Sequence, residues 1–329
     1  MTSYFRGDNL AENVFRANRD SIIKWLKNLT EDYEIWAPAR ERFEILEEPE
    51  KISLEYENTI IPPKEIVFPQ TEKLMEFNIS NNEVRATLPE SRKKVIFGIR
   101  PCDARAIRIL DIVFRGDYED PYYTTRKNGT VLVVLTCNEY CEEGFCNATG
   151  GSPGDSDSAD ILMTKLDDES FQIEFLTEKG RELGFDDFEA AEKVEPELPE
   201  PEYTKNLENA DGWLSYKFVS PEWDKFARKC ISCGICTFLC PTCHCFDITD
   251  TKNRRIRTWD SCQFSEYTVH TSSHNPRPEK VHRVRNRVLH KFLYFKERNN
   301  ELMCVGCGRC VRLCPEGIDI REIVESMED

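Results

Sequence analysis

The chain has 329 residues, 40% apolar and 32% charged, with a mean hydropathy of −0.56 and a formal net charge of −16. It is long enough for two domains, lacks any run of about 18 apolar residues that could span a membrane, and is too acidic for general affinity for nucleic acid. Fifteen cysteines, an odd number, follow a start (residues 1–8) without a basic segment leading into an apolar stretch. Metal binding in a reducing cytoplasm is therefore expected rather than a disulfide framework or export.

In chain order, Asn18 opens an amphipathic helix over 18–29, with Ile22, Ile23, Trp25, Leu26 and Leu29 at helical spacing. Short strands are expected at Tyr33–Trp36, Phe43–Leu46 and Ile66–Phe68, punctuated by prolines. Residues 94–99 predict a buried strand, 103–114 the helix after it, and 131–135 the strongest strand of the chain. A strand, a helix and a strand in that order imply an α/β layer with parallel pairing. Two more strands are expected at 161–166 and 171–176, and a long amphipathic helix at 281–298. The acidic, proline-rich stretch around 192–202 predicts an extended, solvated segment.

The cysteines fall into two groups, four between Cys102 and Cys146 and eleven between Cys230 and Cys314. Cys230-x₂-Cys233-x₂-Cys236-x₃-Cys240-Pro241 recurs as Cys304-x₂-Cys307-x₂-Cys310-x₃-Cys314-Pro315. This is the spacing of two-cluster ferredoxins, in which the fourth cysteine of each run serves the other cluster. Cys230, Cys233, Cys236 and Cys314 are thus expected to hold one [4Fe–4S] cluster, and Cys304, Cys307, Cys310 and Cys240 a second. The 63 residues between Cys240 and Cys304 exceed what a minimal ferredoxin needs, so a helical version is expected. Paired structural zinc sites fit the four-cysteine runs less well.

Cys102 follows the strand 94–99, and Cys137, Cys141 and Cys146 follow the strand 131–135. If those strands are neighbours, the four thiols meet at the carboxyl edge of the sheet, the customary ligand edge of α/β layers. They could hold a third [4Fe–4S] cluster or a zinc ion, or be buried free thiols. Cys243, Cys245 and Cys262 stay unassigned beside His244. No glycine-rich nucleotide loop and no His-Glu-x-x-His motif occurs, so no catalytic site of its own is expected. Residues 252–298 are strongly basic, suited to docking an acidic partner or to offsetting the charge of thiolate-bound clusters.

On Asn58-Thr59-Ile60-Ile61-Pro62-Pro63-Lys64, Phe97-Gly98-Ile99-Arg100-Pro101-Cys102-Asp103, Cys240-Pro241-Thr242-Cys243-His244-Cys245, Trp259-Asp260-Ser261-Cys262-Gln263-Phe264 and both cysteine runs, the chain resembles the iron–sulfur β subunit of cytoplasmic NiFe sulfhydrogenases. It is more distantly similar to the A subunit of anaerobic sulfite reductase. The resemblance implies a relay of electrons between a flavin-containing, NAD(P)-binding subunit and a catalytic subunit. One departure is that the family has Cys-Phe-Cys where this chain has Gly144-Phe145-Cys146. An iron–sulfur redox sensor is the competing reading, but no DNA-binding module accompanies the clusters. The expected fold is α+β: a mixed α/β domain (1–191), an acidic linker (192–205) and a helical ferredoxin-type domain with two clusters (206–329).

Overall fold

The computed structural model describes residues 13–78, 80–167 and 169–328; the N-terminal start read above lies outside them. The larger sheet contains β1 (Val14–Asn18), β2 (Glu34–Pro38), β3 (Phe43–Ile45), β6 (Lys94–Ile99), β7 (Thr130–Leu135), β8 (Ile161–Lys165), β9 (Ser170–Phe175) and β10 (Glu189–Ala190), in the order β10-β1-β9-β8-β7-β6-β2-β3. Its centre, β2-β6-β7-β8, is parallel, and the flanking pairs are antiparallel.

Period-two alternation sends side chains of the central strands to opposite faces. Val95, Phe97, Val131, Val133 and Leu135 pack beneath α1 (Arg19–Leu29) through Ile22, Trp25 and Leu26. Ile96, Leu132 and Val134 face α2 (Pro101–Phe114) through Ala104, Ile107 and Leu110. Helix α1 starts where Asn18 caps it, the side-chain oxygen accepting from Ser21 N at 2.8 Å. Helix α2 starts two residues earlier than expected because Pro101 is pre-set for the first helical position. The strand expected at Ile66–Phe68 is absent. Pro63 instead starts a 3₁₀ turn over Pro63–Ile66, and Ile66, Val67 and Phe68 are buried without pairing.

A second, four-stranded sheet joins both halves of the chain. Strands β4 (Thr71–Asn78) and β5 (Glu83–Ala86) come from the first half, and β11 (Phe246–Asp250) and β12 (Arg254–Trp259) from the second, in the order β11-β12-β4-β5. Arg257 of β12 is buried against Glu72 of β4, Arg126 of α3 (Pro121–Asn128) and Asp120 complete the group, and no charge in it stands alone.

The remainder of the C-terminal half is helical. Helix Glu222–Lys229 packs on helix Lys280–Leu289 through Trp223, Phe226, Val284 and Val288. The latter runs on through a wider π turn, His290–Tyr294, into Phe295–Asn299, so the predicted long helix is present with one irregularity. The acidic stretch is extended but only partly free. Val194 exchanges hydrogen bonds with Gln172, and Tyr203 O accepts from Asn147. Among the described residues no helix is long and apolar enough to cross a membrane.

Candidate iron–sulfur sites

Parallel pairing of β6 with β7 brings their carboxyl ends together. Cys102 stands on the first turn of α2, just after β6, and Cys137 two residues beyond β7. Arg100 ties the two ends: NH1 donates to Thr136 O at 2.6 Å and Nε to Glu57 O at 3.0 Å. Cys137 lies within electrostatic reach of Cys141 and Cys146, and Cys102 of Cys141, so the four thiols share one neighbourhood. A Cβ on Gly144 would lie 2.9 Å from Cys141 Cβ. A side chain at 144 would therefore crowd Cys141, which leaves glycine at that position. Burial pushes the Cys137 thiol up to about 12 and Cys141 to about 11.

The loop carrying Cys141 and Cys146 lies directly on the second cysteine run. Phe145 N donates to Gly306 O at 2.7 Å, and Asn58 Nδ2 donates to Cys307 O at 2.9 Å while lying 3.9 Å from Cys141 Sγ. A Cβ on Gly306 would meet Phe145 O at 2.3 Å, and one on Gly308 would meet Glu143 O at 2.5 Å. Both glycines have positive φ, so contact and backbone alike require them. Beneath them, the fully buried Arg309 grips Asp103 at 2.6 and 2.8 Å and Thr59 O at 2.6 Å, fixing the start of α2 to this loop.

Cys304, Cys307 and Cys310 converge with Cys240 from the other run. Burial raises Cys304 to about 11 and Cys307 to about 12. Cys240 goes the other way, its thiol held well below the usual range chiefly by the Cys243 S–H, then by Lys291, Thr242 and Lys64. Lys64, itself buried, donates to the carbonyls of Cys240 and Cys243 at 2.9 Å each and lies over the Trp259 ring. Cys245 is lowered to about 6, first by the Cys262 S–H. Cys243 thus packs on Cys240 of the second group, while Cys245 pairs with Cys262, which lies within reach of Cys236 of the first.

Cys230, Cys233, Cys236 and Cys314 line one cavity together with Cys310, Gln263 and Arg287. Cys233 is the one exposed cysteine of the chain. Both predicted groups of ligands are therefore brought together with their exchanged fourth members.

Four-thiolate donor sets are anionic, as iron–sulfur clusters require of their ligands, and each group has a buried cation beside it. Nε and NH2 of Arg287 are buried without a partner where that side chain lines the first cavity. Arg105 NH1 is likewise unpartnered, 3.1 Å from where a Gly151 Cβ would stand, beside Cys146. Lys291 Nζ lies 3.1 Å from Cys240 Sγ. Unpartnered buried donors cost free energy in a free protein and become acceptable against sulfide and thiolate. Bound iron would displace the protons that burial now holds on the thiols.

The sequence places Arg287 and Lys291 in a basic stretch suited to offsetting cluster charge, but neither their burial nor Arg105 was singled out, though a signal existed for the first two. Arg287 and Lys291 fall on the same helical face as Val284 and Val288, the buried one, where a charge needs a partner. The basic stretch is correspondingly not one solvent face: Arg257, Arg283, Arg287 and Lys291 are all buried.

Residues 229–318 match the model of a 4Fe-4S dicluster domain. No solved structure matches this chain. Sulfhydrogenase 2 subunit beta of Pyrococcus furiosus is 31% identical over 329 aligned residues, which cover 93% of this chain and 96% of that protein. With similarity running through both halves, the chain belongs to the sulfhydrogenase β-subunit family.

Proposed function

We propose that the chain relays single electrons between a flavin-containing, NAD(P)-binding subunit and a catalytic subunit, of the NiFe hydrogenase type, in a cytoplasmic complex. In this reading Cys230, Cys233, Cys236 and Cys314 hold the first [4Fe–4S] cluster, Cys304, Cys307, Cys310 and Cys240 the second, and Cys102, Cys137, Cys141 and Cys146 a third. Bound clusters of this kind accept and release one electron at a potential set by charge, hydrogen bonds to sulfur and burial.

The serial contact of the three cysteine groups carries the proposal. The third group touches the second through Phe145 and Gly306, and the second reaches the first through Cys310, which lines the first cavity. Two cysteines of the middle group, Cys240 and Cys304, are buried, while the exposed Cys233 leaves the first open to a partner.

The test is anaerobic purification from the native host, with metal and flavin analysis of the co-purifying chains. Nickel together with flavin supports the proposal, sirohaem would make the partner a sulfite reductase, and the absence of any stable partner would overturn it. Cys146→Ser should remove one cluster's iron and leave the other two EPR signals. Zinc in place of that iron would remove the third cluster from the relay.

A further inference from the structure

The middle site presents an electrostatic difficulty. Cys240 and Cys304 are buried, and the 143–146 loop covers the glycines between the other ligands. Reduction adds negative charge to a group already made anionic by four thiolates, and burial penalises that charge. By this effect alone the second cluster would be the hardest of the three to reduce and would interrupt the series.

Lys291 stands where it can offset this. Its side chain is 2% exposed. Nζ has three acceptors, Cys240 Sγ at 3.1 Å, Thr242 Oγ1 at 3.2 Å and Met303 O at 3.4 Å. Those three acceptors match the three N–H donors of an ammonium, and no carboxylate is among them. The charge is therefore left to act on the cysteine sulfur. Lys64, the other buried lysine here, spends its donors on main-chain carbonyls. Lys291 also lies within the π turn His290–Tyr294, a local irregularity of the type found at functional sites.

We propose that Lys291, acting through Cys240, raises the reduction potential of the second cluster and so keeps the middle of the relay passable. The inference rests on the cluster assignment given under Proposed function. A charge-assisted hydrogen bond to a ligating sulfur stabilises the more negative, reduced form, which fixes the sign.

The experiment compares the wild-type chain with Lys291→Met and Lys291→Arg, purified anaerobically with clusters in place, by iron content and EPR-monitored redox titration. In Lys291→Met one cluster should become at least tenfold harder to reduce, about 59 mV for a one-electron couple, with the other two unmoved. Lys291→Arg should retain most of the wild-type value. Full iron content with no midpoint shifted in Lys291→Met would overturn the inference.

Should Lys291→Met lose iron, wild-type protein labelled with [¹⁵N]lysine decides. Pulsed EPR should then show weak ¹⁵N coupling to one reduced cluster, and absence of coupling would overturn the role of Lys291. Failure of the underlying cluster assignment would look different, as wild-type protein lacking the second cluster's EPR signal.

Discussion

Two loops of this chain share one cysteine spacing and differ in nearly everything around it. In the loop Cys230–Cys236, Cys233 is exposed and Ile231 is 58% exposed. The space beside Gly234 is bounded by side chains, the Phe264 ring at 2.8 Å and the Ser261 hydroxyl at 3.1 Å. In the loop Cys304–Cys310, Cys304 is buried, Arg309 is fully buried, and Gly306 and Gly308 press on the main chain of 143–146. The spacing determines which sulfurs can share a cluster. The surroundings determine whether that loop is open to solvent or closed against the 143–146 loop.

The sharpest way to break this comparison is to add one methyl group to each loop. Gly306 and Gly234 both have positive φ, at 63° and 78°, so alanine is strained at either position. Only at Gly306 is the obstacle backbone, that of Phe145 and Cys146 in the third cysteine group. Gly306→Ala should destabilise the chain by more than about 3 kcal/mol, beyond the ~1–2 kcal/mol of left-handed strain, and should cost iron at both the second and third sites. Gly234→Ala should show little beyond the strain, because the Phe264 ring can shift. Thermal unfolding and iron content measure both, and equal losses would mean that the two loops are not differently built.

A second contrast is between charges. Arg309 and Asp103 form an ion pair with 0% and 1% of their side chains exposed, across the junction of the two halves. Removing one partner leaves an unpaired buried charge, so Arg309→Met should cost about 3–5 kcal/mol. On the open loop, Lys280 Nζ donates to Cys230 O at 3.0 Å from an exposed position. Lys280→Ala should cost less than about 1 kcal/mol. Denaturant titration of both variants decides the matter. A small effect at Arg309 would show that water reaches the junction.

The 4Fe-4S dicluster domain at 229–318 was legible because iron–sulfur ligation is written in local spacing, and two runs ending in Pro241 and Pro315 leave few alternatives. The parallel core was legible for a similar reason, since Val131–Leu135 and Val95–Ile99 are runs without a polar side chain. The second sheet was not. Strands β4, β5, β11 and β12 are rich in polar and charged residues, as in Glu83–Ala86, which is exposed at every residue. The pairing of β4 with β12 is also long-range, with Arg257 meeting Glu72 across 185 residues of sequence. The basic stretch that holds Arg287 and Lys291, and a role in offsetting cluster charge, were legible; which of its cations are buried was not. Lys291 and Arg287 become exceptional only once the helix face that carries them is seen to be internal.

The closed side also contains a titrating element. His244, four residues after Cys240, and His290, beside Lys291, lie with ring centroids 5.7 Å apart. Burial lowers His244 to about 4, and burial followed by the neighbouring His244 lowers His290 to about 3. In the unfolded chain both would titrate near ~6.5. Below that pH the unfolded chain binds protons that the folded chain refuses. The contribution of the pair is therefore complete above about pH 6.5 and is lost as pH falls toward the folded-state values. Each histidine excluded from protonation adds up to about 1.4 kcal/mol per pH unit to the slope. Denaturant midpoints of the cluster-containing protein under argon should fall between pH 6.5 and 5, and His290→Gln should remove about half of that slope. An unchanged slope in His290→Gln would mean that a proton reaches the ring in the folded chain. The helix face carrying Lys291 would then be wetter than its packing indicates, and burial could no longer separate the middle cluster from the open one.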